Sequence, residues 1–116
     1  MTRGMYILEG KTPVECDDLL VWGKWMQTAS RIVRKDTATV RLDGEPIGEV
    51  HVSTVFLGLD HSFGEGPPLL FETMIFGGPL DQEQDRCGTW EAAEKMHEKM
   101  MERVRLGAAA HQKGRL

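Results

Sequence analysis

Two apolar runs constrain this chain more than anything else in it. Val50 to Leu59 ends in the almost unbroken Val55-Phe56-Leu57-Gly58-Leu59, and Leu69 to Phe76 follows it. A strand with apolar residues on both faces belongs in the middle of a sheet. The short route between two such neighbours is an antiparallel hairpin. The residues between them, Asp60-His61-Ser62-Phe63-Gly64-Glu65-Gly66-Pro67-Pro68, predict a long glycine- and proline-rich loop at its tip.

The flanking segments supply the remaining elements. Met5 to Leu8 reads as a brief strand closed by a turn over Glu9 to Pro13. From Asp17 the period becomes helical: Leu19, Trp22, Trp25, Met26 and Ala29 fall in an arc of about 120°, with Asp17 and Asp18 placed to cap the helix. Arg31 to Arg34 and Thr39 to Leu42 are β-prone pieces, and Asp43-Gly44 is a hairpin signal. The last element is the clearest. Thr89 is a good N-cap, and Ala93, His97, Met100, Met101 and Val104 share an arc of about 100°. The sum is a single α+β domain over 1–106: an antiparallel sheet of four to five strands, in the order βα-ββββ-α, with two helices packed on one face. Residues 107–116 lack apolar periodicity and read as a flexible tail.

Composition bears on the partner. With 14 Lys plus Arg against 18 Asp plus Glu, the net charge of −4 argues against a surface for duplex nucleic acid or an anionic membrane. No window approaches the roughly 18 apolar residues of a membrane span, and the N-terminus has no signal-peptide stretch, so a cytoplasmic protein is expected. Cys16 and Cys87 have no CxxC pairing and read as free thiols. There is no phosphate loop, dinucleotide fingerprint, HExxH or zinc knuckle, so no cofactor or metal is expected.

Asp60-His61 at the end of a central strand, with Glu72 near the start of the returning one, is the raw material for general acid-base work. The plainer reading gives Asp60 to turn chemistry, since Asp side chains stabilise turns by accepting from backbone amides. Glu72 shares its strand face with Leu70, Met74 and Phe76, so it needs a partner, with Arg31, Arg34, Lys35 and Arg41 as the candidates. His97 lies inside the apolar arc of the last helix and reads as a core side chain with one satisfied nitrogen. Met96, Met100 and Met101 read as core filling, with an adaptable binding surface as the alternative. At least two of Trp22, Trp25 and Trp90 are expected to anchor the core.

The stretch Val52-Ser-Thr-Val-Phe-Leu-Gly-Leu-Asp-His61, followed by Gly66-Pro-Pro-Leu-Leu-Phe-Glu-Thr-Met-Ile-Phe-Gly-Gly78, resembles the central signature of a family of small uncharacterised proteins encoded by tailed phages, prophages and their bacterial hosts. Thr89-Trp90-Glu91-Ala92-Ala93 to His97 resembles the family's closing helix. The resemblance implies a phage or prophage accessory protein of the bacterial cytoplasm that acts by binding, blocking or sequestering a component of host defence. Its partner would be a host protein or a small signalling nucleotide. The expected recognition surface is the loop and its neighbouring strand ends: Asp60, His61, Phe63, Glu72 and Thr73. Homo-oligomerisation through an edge strand or the Met-rich helix would suit so small a chain. The competing reading is a small hydrolase using Asp60, His61 and Glu72, with or without a metal.

Overall fold

In the computed structural model the chain is described over residues 4–113, with side chains described as far as 106. It folds as α+β, with strands β1 (Tyr6–Glu9) and β2 (Thr12–Glu15), helix α1 (Leu19–Thr28), strands β3 (Ile32–Leu42), β4 (Glu45–Phe56), β5 (Phe71–Phe76) and β6 (Gln84–Cys87), and helix α2 (Trp90–Lys113). The main sheet is an antiparallel meander in the order β3-β4-β5-β6, and β1-β2 is a separate hairpin. The two runs with apolar residues on both faces are the two central strands.

Local chemistry explains most boundaries. Asp18 caps α1, its carboxylate accepting from the amides of Leu20 and Val21 at 3.0 and 3.2 Å. Thr89 caps α2 by accepting from the amide of Ala92 at 3.1 Å. Asp43 and Gly44 both have positive φ, 52° and 81°, which makes the two-residue turn that lets Leu42 pair with Glu45.

Three expectations need correction. The pieces Arg31 to Arg34 and Thr39 to Leu42 belong to one strand, because Lys35 to Ala38 continue the alternation between them. The turn after Leu8 is tighter than Glu9 to Pro13: only Gly10 and Lys11 lie outside the strands, and Thr12–Glu15 returns as β2. Pro13 is tolerated there because β2 is an edge strand. The fourth strand of the main sheet is β6, whose four largely polar residues carry no apolar signal. In addition, α2 continues past Leu106 to Lys113, and residues 114–116 lie outside the described chain.

One face of the sheet carries the core. Val50, Val52 and Ile75 pack with Met100, Met101 and Val104 of α2, while Phe56 and Phe71 form a second cluster with Leu70 and Ala93. The second cluster is an aromatic row: Trp25 meets Phe56 edge-on at 5.7 Å, Phe56 lies 5.3 Å from Phe71, and Phe71 meets Trp90 edge-on at 6.1 Å. Trp25 and Trp90 are thus the two core anchors expected of the tryptophans. The methionines of α2 fill the core and present no adaptable surface, with Met96, Met100 and Met101 all buried.

Candidate functional site

The loop between the central strands grows from a local exchange of neighbours. β3 accompanies β4 until Arg31, whose carbonyl accepts from the Phe56 amide at 2.8 Å. Beyond that point the N-terminal hairpin takes over the same flank. The amide of Tyr6 donates to the carbonyl of Gly58 and the amide of Asp60 to that of Gly4, both at 2.8 Å. On the other flank the amide of Leu57 donates to Leu70 at 2.7 Å and that of His61 to Leu69 at 3.0 Å. Leu57 to His61 is therefore held on both sides, although it lies outside the regular strands.

Gly58 is needed here because helix α1 presses on it. Its φ is +78°, a Cβ would come within 2.5 Å of Met26 Sδ, and its carbonyl accepts from the Trp22 indole at 3.0 Å. The Asp60 carboxylate then closes the neck of the loop. One oxygen accepts from the amides of Ser62 at 2.8 Å and Leu69 at 3.0 Å, tying the two ends together as in a compact Ω-loop. The Ser62 amide, foremost among the groups that stabilise the anion, holds this carboxyl below the usual carboxylate range.

The residues expected to form the site separate into different environments. Asp60 performs the turn chemistry. His61 stands beside it, half-buried, and its ring has no hydrogen bond among the described residues. Phe63, at the loop tip, is 97% exposed. Glu72 projects from the face of β5 opposite α2 and pairs with Arg86 of β6 at 2.9 Å, which replaces the four basic partners expected from sequence. The reason is register: Glu72 and Arg86 are direct cross-strand neighbours, and β6 was the unrecognised strand. Thr73 is fully buried on the α2 face and cannot belong to a surface. The carboxylates of Asp60 and Glu72 are thus committed to different partners, one in the loop neck and one across to β6. Among the described residues no group of three or more His, Cys, Asp or Glu side chains is arranged to hold a metal ion. Cys16 and Cys87 are free thiols, and burial raises the pKa of Cys87, which keeps it a poor nucleophile.

A second polar system lies under α2. Thr73 Oγ1 is 2.5 Å from Thr54 Oγ1, which is 2.7 Å from His97 Nδ1, and His97 Nε2 is 2.7 Å from Asp36 Oδ2. Both ring nitrogens are satisfied, one more than expected. Thr54, Thr73 and His97 are fully buried, and no buried side-chain polar atom among the described residues lacks a partner. Asp36 continues the chain outward to Arg34, which also pairs with Glu98. The His97 ring, as the strongest influence, holds the Asp36 carboxyl below its ordinary range. The order hydroxyl, imidazole, carboxylate resembles a catalytic triad, but a hydroxyl without solvent access cannot meet a substrate, so the chain of bonds is structural. Of this system only His97 was expected inside; Thr54 and Thr73 are brought together by strand register and Asp36 by the fold, and neither pairing leaves a local signal in the sequence.

Comparison of the chain with protein-family models, with curated proteins and with solved structures finds no match. Among the described residues no helix is long and apolar enough to cross a membrane.

Proposed function

We propose that this chain is a binding protein rather than a catalyst, and that it engages a protein partner through the loop from Asp60 to Pro68. One observation carries the reading: an almost fully exposed phenylalanine, Phe63, sits at the tip of a loop whose neck is stapled by Asp60. An exposed aromatic on a tethered loop offers a large rigid contact at a small entropic cost, which is how interface anchors work. The apolar tip favours a protein over a small signalling nucleotide, for which the acidic chain offers no basic cluster at the loop. The hydrolase reading weakens because it needs Asp60 and Glu72 to act on one substrate, and each is engaged elsewhere.

The resemblance of the central signature to phage and prophage accessory proteins supplies the context for this proposal: a partner in the bacterial host, with a component of its defence as the target. Affinity capture from bacterial lysate with the wild-type chain and with Phe63→Ser tests it. The expected result is a retained host protein that Phe63→Ser no longer holds. Identical captures from the two chains would remove the loop tip from the account, and native mass spectrometry showing a co-purified nucleotide would redirect it to a small-molecule ligand.

A further inference from the structure

Helix α1 is assembled as though part of its packing were missing. Its sequence, Leu-Leu-Val-Trp-Gly-Lys-Trp-Met-Gln-Thr, is apolar on nearly every side, yet none of its residues is buried. Leu19 is 60% exposed, Leu20 83% and Val21 53%, three consecutive large apolar side chains in solvent. Beside the other end of the helix lies a groove of about 400 Å³, its apolar side formed by Met26, Ala29, Ile32 and Val55 and its polar side by Gln27 and Ser30.

At the centre of the helix stands Gly23, which weakens an exposed helix relative to alanine without any reason inside the chain. A Cβ added there would meet nothing within 4 Å. A glycine in the middle of an open apolar helix face is where a second helix can approach closely. Leu19, Leu20, Gly23, Met26 and Gln27 follow one another at helical spacing along that face.

We infer that α1 is the interface of a homodimer in which the α1 helices of two copies cross antiparallel at Gly23. A two-fold axis at this point places Leu20 of each copy over Met26 and the groove of the other, so the exposed ridge and the open groove fill one another. Charge agrees with the direction. Asp17 and Asp18 precede α1 and Arg31, whose guanidinium also donates to the Phe56 carbonyl at 3.2 Å, follows it, so antiparallel crossing sets the acidic end of each helix near the basic end of the other and opposes the two helix dipoles.

Ten residues make a helix about 15 Å long, so each copy offers a contact below the standard size of a specific interface. A contact that small makes for a weak, reversible dimer rather than an obligate one. The inference stands apart from the loop-tip proposal, because Phe63 takes no part in it.

Sedimentation velocity of the full chain from about 1 to about 200 µM tests it across the micromolar range. The wild type is expected to pass from monomer to dimer. Leu20→Asp, at a position already in solvent, should remain monomeric with an unchanged far-UV spectrum. Gly23→Leu should weaken association at least tenfold without lowering the thermal midpoint, since leucine is the better helix former. A wild-type monomer at the highest concentration assigns this face to some other occupant and overturns the inference. A dimer untouched by both substitutions overturns it as well.

Discussion

The two helices begin from similar apolar patterns and end in opposite situations. Along α2, Ala93, Met96, His97, Met100, Met101 and Val104 are all buried against the sheet, whereas α1 has no buried residue. The arc predicted for α2 is the arc that packs. The arc predicted for α1 contributes Trp22, Trp25 and Met26 to the Gly58 turn and the aromatic row, but leaves Leu19 in solvent. The difference lies in what each helix faces. α2 runs along the strands and meets the inward side chains of β3, β4 and β5, while α1 sits at the sheet's end and meets the Gly58 turn, β1 and the last residue of β4, Phe56. Periodicity identifies a face that can be buried, and the neighbours decide whether it is.

Substitutions should expose this contrast in graded form. The largest effect is expected from Phe71→Ala, which empties the middle of the aromatic row and should cost about 3–5 kcal/mol in urea unfolding. The buried polar chain under α2 comes next. His97→Ala leaves the buried Thr54 hydroxyl without its imidazole partner and Asp36 with Arg34 alone, with an expected loss of about 1–3 kcal/mol. A Thr54→Val, Thr73→Val, His97→Leu triple variant should recover part of that loss, because the two buried hydroxyls go together with their imidazole partner and Asp36 keeps Arg34.

Asp60→Ala should cost about 1–2 kcal/mol by releasing two backbone amides, and limited proteolysis should then cut between Ser62 and Pro68 faster than in the wild type. Smallest of all, Leu20→Ser on α1 should change the stability of the isolated chain by less than about 0.5 kcal/mol. A large loss there would mean that the two helices are more alike than their burial indicates.

Acid sharpens the comparison between the two carboxylates. Asp36 and Asp60 are both held below the ordinary range, so the unfolded chain takes up protons before the folded one does. Each contributes stability that is present above its unfolded pKa, near 4, and is lost as pH falls through the lower folded value. The urea midpoint should therefore be level with respect to these groups at neutral pH and decline below about pH 4. Asp36→Asn and Asp60→Asn should each flatten that decline.

Much of the fold was legible because its signals are local. The caps at Asp18 and Thr89, the Asp43-Gly44 turn, the central positions of β4 and β5 and the buried arc of α2 all follow from residues within a few positions of one another. β6 escaped because four polar residues become a strand only when β5 offers its edge, and the same omission misassigned the partner of Glu72. Asp36 escaped for a related reason, since it meets His97 across 61 positions of sequence.

By itself, then, the sequence determined that a long loop would join two central strands and that His97 would lie inside, with turn chemistry as the plainer of two roles for Asp60. Only the tertiary structure decided that Glu72 and Asp60 serve different partners, that Thr73 is sealed beneath α2, and that Phe63 and α1 remain in the open. Short-range hydrogen bonding and periodicity are written in neighbouring residues, whereas register and burial depend on which distant segments the fold brings alongside.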